Sequence, residues 1–398
     1  MNWRYQHTLL AATFLACFSN NAARLVISPV IPDIIVTFDI SKSAVGLALT
    51  GMWAVYALLQ FPSGIIADRI GDYKVILAAL GLTGLASALL AFSPSFTLFA
   101  VFAVFLGAGA GLYFTVGTSM LAKEFTETGK VLGVHSAAGP AAGLVAPAVA
   151  AYIGVAYGWR PSILLGAVLS VPILGVFLWR VRPASTTPDA APRTRTDGGT
   201  TNLDQSLWVL ARDLLSRPDV VFMTLLGVCV AYTWQSFASF FPTFLVEYRG
   251  FSVPDASLVF GAIFLLSALV QPVTGRLSDR IRRETILAGI LTTTVAGFGT
   301  LILTEGVWPT FVGVGLLGVG LSWGGVYQSS LMDLFADATR GTAFGLVRTV
   351  YMFIGSLGSV VTGVLADTVG WSVAYGVVAL LLALAVGGLT AKRVITNR

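Results

Sequence analysis

The stretch Gly64–Lys74, GIIADRIGDYK, has a counterpart at Gly275–Glu284, GRLSDRIRRE. Both read G-x-x-x-D-R-I, and they lie 211 residues apart. One such pair carries little weight, but three further markers keep the spacing. GKVLGV from Gly129 matches GTAFGL from Gly341 at 212, and YGW at Tyr157–Trp159 matches VGW at Val369–Trp371 at 212. Pro32 of IPDII matches Pro242 of FPTFL at 210. Four markers at nearly constant separation indicate an internal duplication.

Composition says what is duplicated. The 398 residues are 56% hydrophobic and 11% charged, with a mean hydropathy of +0.84. A soluble domain of this size carries more charge on its surface and is excluded. Apolar runs of about 20 residues or more recur along the chain, as in a polytopic helical membrane protein. Barrel strands would be runs of about ten residues with alternating hydrophobicity. The first run lacks a small-residue cleavage site and reads as a retained span. Cys17 and Cys229, both in apolar runs, read as small hydrophobes.

Gly, Pro and charge divide the chain into twelve spans, near 7–36, 43–67, 74–93, 96–122, 129–156, 160–181, 219–246, 255–277, 284–304, 308–334, 341–367 and 371–391. The expected fold is all-α and polytopic, with twelve transmembrane helices in two pseudo-symmetric six-helix bundles, residues 1–182 and 218–398. Residues 183–217 form the expected cytoplasmic linker, rich at first in Pro, Thr and Gly. Its end, LDQSLWVLARDLLSR, has apolar residues at helical spacing and is expected on the membrane surface. Arg24 and Arg348 lie within spans, and Lys42, Arg160 and Arg249 in odd-numbered loops. The remaining 19 of 24 basic residues mark the even-numbered loops and both termini as cytoplasmic. This bias accounts for most of the net charge of +5, so no nucleic-acid partner is needed.

Gly64-x-x-x-Asp68-Arg69-x-Gly71, with Lys74 behind it in the loop after the second span, resembles the signature of the major facilitator superfamily. The degenerate copy at Gly275, Asp279 and Arg280, the twelve spans and the central linker extend the resemblance over the whole chain. Asp72 and Tyr73 stand where the family has a basic pair, and Arg282 replaces the last glycine of the second copy. The resemblance implies a secondary transporter of the plasma (inner) membrane. It places a substrate site between the halves near the bilayer midplane, with the halves rocking about it. It also implies that the signature loop latches the cytoplasmic side in the outward-facing state. Gly64 and Gly275 would allow close helix approach, and Asp68 and Asp279 would face a positive helix N-terminus, with Gly341 opening the helix that meets Asp68. For the basic residues, charge anchoring alone is the plainer alternative.

Gly139-Pro140-Ala141-Ala142-Gly143 is similar to part of the motif of exchangers in this superfamily, although a kinked, close-packed helix explains it as well. GAGAG at Gly107–Gly111 has neither a preceding strand nor an acidic ribose ligand, and reads as a helix-packing stripe.

Ionisable groups at membrane depth are few. Arg24, His135 and Arg348 lie well inside spans, and no carboxylate does. Asn20, Arg24 and Ser28, spaced i, i+4, i+8, are expected on one polar face, with Asn21 beside them. A guanidinium there grips a carboxylate or phosphate in two-pronged fashion, or else bonds to neighbouring helices. Arg348 either meets substrate or snorkels to the cytoplasm. His135 reads as a proton carrier, an anion partner or a satisfied core histidine. Tyr113, Trp234, Gln235, Trp323, Tyr327, Gln328 and Tyr351 are expected to complete a pocket.

An arginine in the first span with a histidine in the fifth is similar to the superfamily's organophosphate exchangers and, less closely, its organic-anion branch. Those exchangers carry a second arginine in the seventh span, where this chain has Trp234. Ala103 lies near the place of an arginine that many proton-linked members carry in the fourth span. The expected function is alternating-access transport of a small organic anion, a carboxylate or phosphate ester, as exchanger or proton symporter. The alternative is efflux of hydrophobic or amphiphilic compounds. Protons or a counter-substrate and membrane lipids are the other expected partners, and a monomer the expected state. No enzymatic activity, metal or cofactor is expected, since no nucleophile–base pair or ligand cluster lies at depth.

Overall fold

The computed structural model describes residues 3–181, 209–336 and 340–396. Most of the expected linker falls outside these residues, and only its end is described, with 209–216 helical. Twelve helical segments are long and apolar enough to cross a membrane. Spans 1 to 6 are Tyr5–Phe38, Lys42–Ile70, Asp72–Ala91, Phe96–Glu124, Thr128–Tyr157 and Trp159–Arg180. Spans 7 to 12 are Pro218–Arg249, Val253–Arg280, Arg283–Leu303, Val307–Met332, Arg340–Thr368 and Trp371–Lys392.

The duplication is visible in local chemistry. Ser41 and Ser252, 211 apart, cap the N-termini of spans 2 and 8 by accepting from the Ala44 and Asp255 amides. Gly158 and Gly370 take φ values of +89° and +93° immediately before spans 6 and 12. The indoles that follow are tied to equivalent positions, Trp159 Nε1 donating to Thr37 Oγ1 at 2.9 Å and Trp371 Nε1 to Glu247 Oε2 at 3.0 Å. The lost glycine of the second signature copy has a backbone reason. Gly71 turns with φ +93°, whereas Arg282 has φ −50°, which any L-residue adopts.

Four spans are broken. Span 1 runs as a helix Trp3–Leu25, a 3₁₀ turn Ser28–Val30 and a helix Ile31–Phe38, because Pro29 and Pro32 cannot donate to the ladder. Span 5 breaks at Ala137, three residues before Pro140. Span 10 tightens to 3₁₀ at Leu321–Trp323, and span 11 breaks at Ser356.

The halves meet on the face opposite the termini. Span 2 lies against span 11 so closely that a Cβ on Gly46 would sit 2.6 Å from the Ser359 carbonyl oxygen. Thr50 Oγ1 donates to the Ser356 carbonyl and accepts from the Val360 amide, each at 3.0 Å. Span 5 packs on span 8, where Gly143 faces the Phe264 ring and Gly261 the Leu144 carbonyl. Phe237, Phe241, Phe244 and Phe260 with Tyr375 fill this side of the second half, Phe237 and Phe241 lying 4.8 Å apart. At the rim, Lys42 Nζ lies 3.1 Å from Glu247 and 3.8 Å from Asp367.

No inter-half ion pair closes the terminal face among the described residues. Lys123 pairs with Asp72 and Lys392 with Asp219, each within its own half, and so does Arg283 with Asp333. The protein is closed on one face and, beyond the contact of Gly345 in span 11 with the Phe61 ring in span 2, parted at the outermost turns of the other.

The expected signature contacts are therefore not engaged in this conformation. Asp68, Arg69, Asp279 and Arg280 are exposed, and so is Gly341. A Cβ on Gly275 or Gly341 would meet nothing within 4 Å, and one on Gly64 would make only ordinary contact with Thr115 at 3.7 Å. The close helix approach expected at Gly64 and Gly275 is thus absent here, because the faces they would join are apart. The stripe at Gly107, Gly109 and Gly111 does pack as expected, against Met52, Thr83 and Tyr56.

Candidate functional site

Between the halves lies a cavity of about 260 Å³, bounded by the breaks in spans 1, 5, 10 and 11. Arg24 and Leu25 come from the last turn of the first helix of span 1, and Gly139 and Pro140 from the restart of span 5. Leu321 and Trp323 come from the 3₁₀ turn of span 10, and Tyr351 and Met352 from the last turn before the break in span 11. Broken helices supply backbone ends and polar side chains at mid-depth without exposing them to lipid.

Arg24 is 6% exposed and has no carboxylate partner among the described residues. Its Nε donates to the Asn20 carbonyl at 3.2 Å and one terminal nitrogen to Asn21 Oδ1 at 2.9 Å. Its guanidinium lies 4.3 Å from the Tyr56 ring centroid and 4.8 Å from that of Trp53. It also occupies a helix C-terminus, where the macrodipole favours a cation by about 0.3–2 kcal/mol. Two cation–π contacts at about 0.5–2 kcal/mol each bring the sum to about 1.3–6 kcal/mol, a range that spans the ~2.5–3.5 kcal/mol that insertion scales assign to a central arginine. Every one of these supports is neutral. They hold the side chain in place and leave its charge uncompensated.

Arg348 enters the same cavity from span 11. Its Nε is buried without a hydrogen-bond partner among the described residues. Its guanidinium lies 4.9 Å from Phe114 of span 4, in the other half, and 6.0 Å from Phe344. Gln235 lines the cavity with both side-chain polar atoms buried and unpartnered among the described residues. A side chamber of about 100 Å³ shares Asn21, Arg24, Tyr56 and Gly139 with the cavity and adds Cys17, Asn20, Tyr113, Phe114 and Ser136.

The expected site residues divide. Asn21, Arg24, Trp234, Gln235, Trp323, Gln328, Arg348 and Tyr351 line the cavity, while Asn20 and Tyr113 line only the side chamber. Asn20 is occupied structurally, accepting from Thr83 Oγ1 at 2.8 Å and donating to the Ala16 carbonyl. Ser28 lies outside both spaces and donates to the Ser239 carbonyl at 2.9 Å, sealing the closed face. The helix ends at Leu25, so the i, i+8 spacing no longer aligns Ser28 with Arg24.

Tyr327 is also outside, fully buried, with its hydroxyl on the Met223 carbonyl at 2.8 Å. Tyr113 makes the equivalent bond to the Thr13 carbonyl at 2.5 Å, so the two tyrosines pin the same pair of helices in each half. His135 is fully buried, 5.9 Å from the Tyr113 ring, with neither nitrogen bonded among the described residues, and lines neither space. Cys17 is buried and Cys229 partly buried; both are free thiols. Trp53, Tyr56, Phe264, Ser267 and Gln271 line the cavity without having been expected there. The aromatic pair at i, i+3 in span 2 was their one visible signal.

The sequence profile of the Major Facilitator Superfamily matches residues 9–332 and, in a second match, 223–394. The chain belongs to the major facilitator superfamily. This transporter is 24% identical over 377 residues to a hexuronate transporter of Bacillus subtilis, covering 90% of this chain and 87% of the other. It is 27% identical over 384 residues to a probable sulfoacetate transporter of Cupriavidus necator, covering 92% and 88%. Its fold is similar to the crystal structure of a bacterial homologue of the human lysosomal transporter Spinster in an inward-facing, unoccupied conformation. The TM-score is 0.82 at 17% identity, with 98% of this chain and 97% of that one covered. Superfamily membership makes the chain a membrane transporter and not an enzyme.

Proposed function

We propose that this protein is a secondary transporter of a small organic anion, a carboxylate or phosphate ester, working by alternating access as an exchanger or proton symporter. The observation that carries the reading is Arg24, which is nearly enclosed and held only by neutral groups in a cavity with no carboxylate among its described lining residues. A cation so placed gains most from a cargo that supplies the missing negative charge. The full-length relatives named for hexuronate and sulfoacetate, both anions, support the same class. Trp53, Tyr56, Trp234 and Trp323 would pack on the carbon skeleton, while Gln235 and Gln328 offer hydrogen bonds to its polar groups.

With the basic-residue bias as guide, the termini lie in the cytoplasm of the plasma membrane and the parted face opens inward. Lys42, Glu247 and Asp367 then close the outer face. The signature residues Gly64, Asp68, Arg69, Gly71, Lys74, Gly275, Asp279 and Arg280 would act in the opposite state, when the cytoplasmic faces meet.

Counterflow in proteoliposomes tests the reading, with a panel of hexuronates, sulfoacetate, short carboxylates, phosphate esters and neutral or cationic amphiphiles. The parent should exchange one or more anions, and Arg24→Ala should abolish that exchange. Anion transport that survives the substitution, or transport confined to cationic or neutral compounds, would refute it. Imposed pH gradients separate exchange from proton coupling.

A further inference from the structure

The cavity contains two guanidiniums and no carboxylate among its lining residues, and the two are held differently. Arg24 is fixed by Asn20, Asn21 and the faces of Trp53 and Tyr56. Arg348 has no hydrogen bond among the described residues; it rests on rings alone, and its Nε is buried and unpartnered. One of those rings, Phe114, belongs to the other half and lines the side chamber together with Arg24. Arg348 therefore already reaches across the seam towards the space where Arg24 waits.

Given the reading of the chain as an anion transporter, we propose that the cargo carries two negative charges. It would be a short dicarboxylate, or a carboxylate bearing a sulfonate or phosphate, with one charge anchored on Arg24 and the other captured by Arg348. A monoanion on Arg24 neutralises one of the two cations that line the cavity and leaves Arg348 uncompensated. A dianion neutralises both. The second charge also has a mechanical consequence. No ion pair joins the halves on the terminal side of the protein among the described residues, and a cargo spanning Arg24 of span 1 and Arg348 of span 11 supplies one. Arg24 is the fixed anchor, and Arg348 the movable clamp that reads the second charge. The orphaned Gln235 amide, in the second half like Arg348, offers the captured group a further donor.

The test compares isosteric pairs that differ by one charge. Succinate and glutarate are set against their monoamides, succinamate and glutaramate, and sulfoacetate against its amide. Binding to the purified full-length protein is read by thermal stabilisation and by counterflow at about pH 7.5, where every carboxyl is ionised. The dianion of at least one pair should bind about tenfold or more tightly than its monoamide, the scale of one charge-assisted contact. Arg348→Gln should collapse that ratio to near unity while still binding the monoamide, and Arg348→Lys should restore part of it. Arg24→Gln should remove binding of both members. Monodispersity of each variant checks that it folds.

Monoamides binding as well as dianions in the parent would overturn the two-charge proposal and leave the anion reading standing. So would a dianion preference that survives Arg348→Gln, or monoanion transport that rises steeply when chloride supplies the second charge. If no anion of either set binds, while neutral or cationic amphiphiles do, both the proposal and the anion reading fail.

Discussion

Replacing Asp367 with Asn should unlatch the closed face. Asp367 lies near the end of span 11 and caps the start of span 2. Its Oδ2 accepts the Ser43 amide at 2.7 Å, and its Oδ1 accepts the Lys42 amide at 3.2 Å. The Lys42 ammonium lies 3.8 Å from the same Oδ1 and 3.1 Å from Glu247, with the three side chains between 22% and 34% exposed. A carboxylate at a helix N-terminus is worth about 0.3–1 kcal/mol, more where partly buried. A half-exposed ion pair adds about 0.2–1 kcal/mol. Asn keeps one acceptor oxygen but loses the charge and the second acceptor, so the closed face should lose about 0.5–2 kcal/mol. That shifts the equilibrium between the two conformations roughly 2–30-fold.

Spin labels at exposed Phe92 and Val369, one in each half beside the closed face, would report the separation by double electron–electron resonance, with both native cysteines replaced. Asp367→Asn should populate a longer distance. Lys42→Gln should act in the same direction, and the double variant should fall short of the sum because the two share one contact. An unchanged distance distribution in both single variants would show that apolar packing between spans 2 and 11 holds this face without the charges.

Three further outcomes follow from the geometry. Arg24→Lys should reduce anion counterflow about tenfold or more, because a lysine cannot combine the Asn21 bond, the two ring faces and a two-pronged grip; full activity would remove the geometric role of the guanidinium. Tyr327→Phe, which breaks only the bond to the Met223 carbonyl, should lower stability by about 0.5–1.5 kcal/mol in a thermal melt and leave cargo affinity unchanged, whereas Tyr351→Phe in the cavity wall should alter affinity. Asp68→Asn should leave the present conformation intact and shift the labelled equilibrium further towards it, opposite in sign to Asp367→Asn; a shift of the same sign would mean that Asp68 plays no part in the other state.

Much of this was legible in the sequence, for identifiable reasons. Span number follows from hydropathy, because lipid imposes a length and an internally bonded backbone on every crossing. Arg24 was legible because a charge inside an apolar run has few uses. Ser28 was misread because its alignment with Arg24 assumed an unbroken 3.6-residue period, and Pro29 and Pro32 end that period. Tyr327 lies outside both spaces, and Tyr113 lines only the side chamber, for another reason. Their partners are backbone carbonyls, which no residue type advertises, although their nearly repeat-spaced positions were available as a hint. Trp53 and Tyr56 offered only their i, i+3 spacing, whose meaning emerges once span 2 is seen to pass beneath Arg24.

The disengaged signature loop and the engaged rim at Asp367 stand at opposite ends of one helix pair, spans 2 and 11. Spans 2 and 11 cross the protein in opposite directions, so the end of each lies on the face where the other begins. At the closed face, the carboxylate near the end of span 11 caps the start of span 2. At the parted face, the carboxylate near the end of span 2, Asp68, lies exposed on the side where span 11 starts at Arg340. The contact expected of Asp68 in the opposite state would likewise set a negative group on a positive helix end, with a comparable intrinsic strength. A rigid rocking of one half on the other would exchange the two contacts, and neither conformation would then be favoured by much. For the anionic cargo proposed above, its charge in the cavity would then decide between states that differ by only a few kcal/mol. Such a balance would explain a carboxylate at both ends of one helix pair, and it predicts that removing either biases the cycle in opposite directions.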